Sequence, residues 1–240
     1  MKWLIDPGVR LMQRLSLVNK FLVVSFFLLV PLAYTAFLYL SETRKEIDFM
    51  VGERTGLTYI KPLLQLSRLA QAHRAASYVI AKGDDRPAQS RLKIREEIRT
   101  TASEIDRFQG KIGAAYGSAA QWRAVTDRLN RLLQANASAD AESAFAEHGV
   151  LIRDIHGLIE LVTLKSNLIL DSDPTSYRMI RVITGKVPDL SERLAVARDN
   201  GMASIMLGGL SADDRLRMAT LQALAKDRQA ALEGDLAILT

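Results

Sequence analysis

Phe21–Leu40 reads FLVVSFFLLVPLAYTAFLYL, twenty residues with no charge among them. At a helical rise of about 1.5 Å per residue such a run is about 30 Å long, the thickness of a bilayer's hydrocarbon core. A segment in lipid must satisfy its own backbone, which a helix does even around a proline such as Pro31. Tyr34 and Tyr39 fall toward the far end, where interfacial aromatics are favoured. The run is expected to be a transmembrane helix over 21–40.

The flanks set its direction. Lys2, Arg10, Arg14 and Lys20 against Asp6 give residues 1–20 a local charge of +3 out of the chain's +5, whereas Glu42, Arg44, Lys45, Glu46 and Asp48 sum to −1. Basic flanks stay in the cytoplasm, so residues 1–20 are expected there and residues 41–240 outside. A cleaved signal peptide is the rival reading, because PLAYTA over 31–36 offers small residues near a cleavage point. The long basic lead-in and the apolar continuation through Phe37–Leu40 favour an uncleaved anchor.

The rest of the composition excludes several classes. With no Cys in 240 residues, there is no disulfide scaffold, Cys-ligated zinc site or cysteine nucleophile. Once the basic amino terminus is set aside, no Lys/Arg run or aromatic-interleaved basic stripe remains, so nucleic acid is not an expected partner. With 14 Gly and 6 Pro against 48% hydrophobic residues, the chain favours helix.

Beyond position 41 apolar residues recur at three and four. Ile94, Ile98, Ile105, Phe108 and Ile112 form one stripe, and Trp122, Val125, Leu129 and Leu132 another. Leu151, Ile155, Leu158 and Val162 make a third, and Tyr177, Ile180, Val187, Leu190 and Leu194 a fourth. Each is the buried face of an amphipathic helix. Gly83-Asp84-Asp85 with Pro87, and Asp173-Pro174, carry stop and start chemistry; Gly208-Gly209 closes a helix, and Ser211 with Asp214 resembles a capping box. Softer breaks lie at Gly110–Gly117 and Gln134–Ser138, while Pro62 and Pro188 are expected to kink helices rather than end them. The expected helices are 41–83, 88–111, 118–135, 139–170, 174–208 and 211–240. An even number returns the chain toward the membrane, and the uncapped pattern through Leu239 suggests a fragment preceding a second transmembrane helix.

Phosphate-cradling, dinucleotide, zinc-protease and nucleophile-elbow patterns do not occur, so neither catalysis, a cofactor nor a metal is expected. His148 and His156 stand too far apart along a helix to share a metal, and His73, His148 and His156 read as structural or surface residues. The candidate ligand-binding residues are polar groups beside apolar stripes: Arg74 and Ser77, Asn167, Tyr177 and Arg178. An arginine near a core must be paired, either by a carboxylate or by an anionic ligand, and Asp171 or Asp173 could serve Arg178 internally.

Several short segments carry a resemblance: LMQRLS over 11–16 followed by Lys20-Phe21, YIKPL over 59–63, QAHR over 71–74 leading to Gly83-Asp84, and SNLILDSDP over 166–174 with Ser176-Tyr177. With these the chain resembles the sensor region of bacterial transmembrane receptors: methyl-accepting chemotaxis proteins, sensor histidine kinases and diguanylate cyclases. The HRxxS stretch also looks like the arginine-bearing motif of all-helical nitrate/nitrite sensors, with His73 and Ala75 where that motif usually has Glu and Gly.

The resemblance implies an all-α chain, with one N-terminal transmembrane helix followed by an elongated antiparallel helical-bundle sensor domain over 41–240. It further implies the bacterial inner membrane, a periplasmic sensor, a homodimer, and a small-molecule ligand or periplasmic binding protein as partner. The expected function is the input domain of a signal-transduction receptor, with a chemoreceptor first and a kinase or cyclase input region next. A non-sensing single-pass scaffold and a secreted helical binding protein are the alternatives.

Overall fold

The computed structural model describes residues 16–134, 140–170, 173–206, 209 and 211–237, and among them every regular element is helical. In order these are α1 (Leu17–Ala81), α2 (Ala88–Tyr116), α3 (Ala119–Gln134), α4 (Ala141–Lys165), a 3-10 turn (Leu168–Leu170), α5 (Pro174–Arg181), a π-helical turn (Val182–Lys186), α6 (Val187–Met206) and α7 (Ala212–Leu236). The basic residues Lys2, Arg10 and Arg14, most of the break at Gln134–Ser138, Asp171, Gly208 and the final Leu239 and Thr240 lie outside the described residues.

The chain divides into two compact units, Met1–Val51 and Gly52–Thr240. In the first, the described residues from Leu17 onward are helix, and their apolar side chains pack into no core: Phe21 is 75% and Phe27 71% exposed. An uninterrupted apolar surface of this kind is not left facing water by a soluble monomer. Among the described residues α1 is the one helix long and apolar enough to cross a membrane.

In the second unit the core is built from Tyr59, Leu63 and Leu66 of α1, Ile98 and Ile105 of α2, Val125 and Leu129 of α3, and Ile152, Ile155 and Ile159 of α4. Each such side chain contributes about 1.5–3 kcal/mol by leaving water. The contacts have a regular order. α1 meets α4 through Gly56 with Ser166, Ser67 with His156, His73 with His148 and Tyr78 with Glu142. Residue numbers climb along α1 as they fall along α4. The same holds for α1 and α2, where Tyr116 Oη donates to the Gly52 carbonyl and Gln109 Nε2 to Tyr59 Oη.

The boundaries follow local chemistry. No helix begins at 41: α1 is unbroken there, and Ser41 and Thr43 satisfy their hydroxyls on the carbonyls of Leu38 and Tyr39 instead of capping a new helix. α2 continues past Gly110 and Gly113 and stops at Gly117, whose φ of 65° ends the helix in a left-handed cap. The chain then doubles back. Trp122 Nε1 donates to Asp106 at 2.7 Å, across sixteen residues that would span about 24 Å in a straight helix. α4 ends at Lys165, short of the expected 170, because Asn167 takes a left-handed φ of 64°. Asp173 caps α5 with Pro174 in its first turn, and Ser211 with Asp214 forms a reciprocal capping box on α7.

Pro188 resolves in an unexpected way. The turn before it widens to a π-helix, in which the Val187 amide bonds the Val182 carbonyl five residues back. One extra residue in a turn rotates everything downstream by about 100°. The expected stripe therefore misses the core: Val187 and Leu194 are exposed, and their successors Pro188 and Ala195 are buried instead. α7 returns along this segment, with Lys186 to Asp235 at 2.5 Å and Asp189 to Arg228 at 3.1 Å.

Packing is tight at Gly56, where a Cβ would collide with the side chain of buried Ser166. Gly56→Ala is expected to destabilise the protein by about 1–3 kcal/mol, as overpacking does. At roughly 2–4 °C per kcal/mol, the loss should appear as a fall of several degrees in the thermal midpoint followed by circular dichroism.

Candidate functional site

Arg74 lies in the middle of the second unit and is 1% exposed. Its position on α1, one turn from Ala70 and two from Ser67, places it on the buried face, and its charge must be met there. α6 meets it. Arg74 Nε donates to Asp199 Oδ2 at 3.0 Å, Nη1 to Glu192 Oε1 at 2.5 Å and Nη2 to Glu192 Oε2 at 3.3 Å. The guanidinium stacks 4.7 Å from the ring centroid of Phe145 on α4, adding a cation–π contact. The second oxygen of Asp199 accepts from Arg198 at 2.7 and 2.9 Å, and Gln71 Nε2 donates to Glu192 at 2.9 Å. Two arginines and two carboxylates thus close a neutral cluster. Of the two pairings the sequence allows, carboxylate or anionic ligand, Arg74 has the carboxylates.

Beside it, beginning at the preceding residue, stands a pair of buried imidazoles. His148 Nδ1 lies 2.6 Å from the Ala144 carbonyl, which can only accept, so that nitrogen carries a proton and donates. His148 Nε2 is then a bare acceptor 2.9 Å from His73 Nδ1, which donates to it. His73 Nε2 is left as a lone pair, buried and without a partner. Burial pushes both rings below the ordinary imidazole value, His73 to about 3, with His148, Arg95 and Arg91 adding to the shift, and His148 to about 4. His156, whose Nε2 lies 2.8 Å from Ser67 Oγ, is lowered by burial as well.

The remaining candidates do not join Arg74. Ser77 Oγ is buried without a hydrogen-bond partner and takes no part in the carboxylate cluster. Asn167 serves the end of α4: its amide donates to the Leu164 carbonyl and its carbonyl accepts from Leu170. Neighbouring Ser166 stands level with Gly56, eighteen residues down α1 from Arg74, or about 27 Å along the helix. Tyr177 accepts from Arg181 at 3.3 Å beneath that residue's guanidinium. Arg178 is half-buried, and together with Lys186 and Arg181 its charge helps hold the Asp235 carboxyl below the usual range. The candidates therefore fall in three places: Arg74 and Ser77 on α1, Asn167 past the end of α4, and Tyr177 with Arg178 on α5. Glu192, Asp199 and Phe145 were missed by sequence reasoning. The spacing of Glu192 and Asp199, seven residues on one helix face, was the available signal.

Two clefts flank this region. One of about 740 Å³, lined by Ala72, Ala76, Val79, Ile94, Met202 and Ile205, is largely apolar. The other, of about 730 Å³, is polar and holds His156, Glu160, Arg181, Lys186 and Asp189. Among the described residues no group of three or more His, Asp or Glu side chains could hold a metal ion.

Arg74→Met is expected to cost about 3–5 kcal/mol, because it takes the partner from the buried Asp199 and the half-buried Glu192. Adding Glu192→Gln and Asp199→Asn should recover part of the loss in chemical denaturation. The imidazole pair gives the stability a pH dependence. Unfolded histidines take up protons near 6.5 while the folded ones resist until about 3 and about 4, so protons favour the unfolded chain in between. Stability is full above pH 6.5 and falls below it by up to about 1.4 kcal/mol per pH unit for each ring. His73→Leu should flatten that slope in denaturation curves taken from pH 7 to 4.5.

Compared with protein-family profiles, curated proteins and solved structures, the chain finds no match.

Proposed function

We propose that the chain is the membrane-anchored sensing region of a bacterial signal-transduction receptor of the chemoreceptor type. Residues 21–40 cross the inner membrane, the amino terminus is cytoplasmic, and the bundle beyond position 41 is periplasmic. The observation that carries this reading is α1 itself: a single helix, Leu17–Ala81, that holds an uncharged lipid-length run and, further on, the buried polar face of Ser67, Gln71, His73 and Arg74. The opposed residue numbering of α1 with α2 and with α4 supports an antiparallel bundle as the sensor. The short segments resembling receptor sensor regions add to it.

A receptor of this kind signals when its ligand binds one helix arrangement better than another, since a ligand bound equally by both shifts nothing. The chemistry suited to such a domain is recognition of a small molecule or a binding protein, not catalysis. A homodimer would cover the exposed Leu194, Ile205 and Leu216.

The lack of native cysteine makes topology directly measurable. Ser103→Cys and Ser16→Cys each introduce a single exposed thiol. In intact spheroplasts a membrane-impermeant maleimide should label Cys at 103 and spare Cys at 16 until the cells are lysed. Labelling at 16, equal labelling at both, or recovery of the protein in the soluble fraction would overturn the reading.

A further inference from the structure

Two helices each carry a pair of unsatisfied polar groups, α1 at His73 and Ser77 and α2 at Arg91 and Arg95. Among the described residues His73 Nε2, Ser77 Oγ, Arg91 Nε and Arg95 Nε are buried atoms with no hydrogen-bond partner. His73 and Ser77 are one turn apart on α1, and Arg91 and Arg95 are one turn apart on α2. The register that sets Gly52 against Tyr116 and Tyr59 against Gln109 moves one step down α2 for each step up α1. Continued, it brings His73 level with Arg95 and Ser77 level with Arg91. The charges of both arginines act on the His73 ring, which fits that placement.

The charges here are unbalanced. Arg99, the next arginine along α2, has Glu96 at 3.4 Å, and Arg74 has two carboxylates. Arg91 and Arg95 have no carboxylate partner among the described residues, and the groups acting on Arg95 are its own burial, Arg91 and Arg99, all unfavourable to its charge. Two half-buried guanidinium groups one turn apart repel each other, and an oxyanion between them would relieve the repulsion. The tautomer chain from the Ala144 carbonyl through His148 leaves His73 Nε2 a buried lone pair without a partner, so a group bound beside it must also bring a donor.

We infer that Arg91, Arg95, Ser77 and His73 form a binding site for a small oxyanion that carries an O–H group, of the class of hydrogen phosphate and 2-hydroxycarboxylates. The arginines bind the charged oxygens, the Ser77 hydroxyl bridges, and the ligand O–H donates to His73 Nε2. Binding itself stands on these residues alone; that the site is the receptor's input rests on the proposed function. Arg74, the arginine of the sequence motif, is not the anion-binding group in this arrangement.

The test uses the full chain in phosphatidylcholine nanodiscs, titrated calorimetrically with inorganic phosphate, malate and nitrate at pH 7.5. Phosphate or malate is expected to bind and to raise the thermal midpoint in proportion to occupancy. Nitrate, which has no O–H, should bind at least tenfold more weakly. Arg91→Gln/Arg95→Gln should weaken binding at least tenfold while its unliganded midpoint holds or rises, since a repulsion has been removed. Arg99→Gln should bind as the unaltered chain does.

The inference fails if none of the three anions binds, if nitrate binds as well as the others, or if the double variant binds unchanged. It also fails if light scattering shows that Arg91 and Arg95 are instead covered by a carboxylate of a second copy, with a dimer that dissociates in the double variant. Phosphate or malate binding lost in the double variant, in a protein whose thiol labelling contradicts the proposed topology, would retain the site and discard the receptor reading.

Discussion

Burying Arg74 against Phe145 makes carboxylates on another helix obligatory, because a lone guanidinium in an apolar interior costs more than a small domain's net stability can absorb. That requirement reaches α6, which must present Glu192 and Asp199 on one face at the height of Arg74. The two acids are seven residues apart, two helical turns, so both can face α1 at once. The π-helical turn ahead of Pro188 is part of the same arrangement: without its extra residue the face carrying Asp199 and Ala195 would be turned about 100° away. An electrostatic demand on α1 and a backbone irregularity before α6 are in this sense one feature.

α1 is the common member of the second unit. It contacts α2, α4 and α6 within some thirty residues, by four devices: a close backbone approach at Gly56, aromatic stacking of Tyr59 on Phe108, imidazole pairing at His73 and ion pairing at Arg74. Tyr59 shows the cost of such a place. Its hydroxyl is held by Gln109, and burial pushes its pKa up to about 12, so it stays neutral and acts only as a hydrogen-bonding group.

Much of this could be read from the residues alone. Helical periodicity located the cores of α2, α3 and α4, because Ile98, Ile105, Val125, Leu129, Ile155 and Leu158 are buried as their spacing requires. Caps at Asp173 and Ser211 were equally legible, since their chemistry is local. What could not be read was anything set by phase or by distant partners. A π-turn leaves no mark in composition, so the stripe through Val187 and Leu194 came out one residue off. The left-handed Asn167 shortened α4 in a run whose apolar pattern continues. Arg74 was recognised as an arginine needing a partner, but the identity of that partner lies 118 and 125 positions away. The orphan atoms at Arg91 and Arg95 were invisible for the same reason: on the sequence they look like any solvated helix face.

The imidazole pair has one more property. A hydrogen-bonded chain passes protons along only if its last member can release one, and this chain ends on the Ala144 carbonyl, which cannot take a proton and hand it on. A proton reaching His73 therefore has no exit through His148. The pair is a cul-de-sac: burial and the nearby arginines oppose a proton on it, and one that did arrive could not be conducted through the bundle.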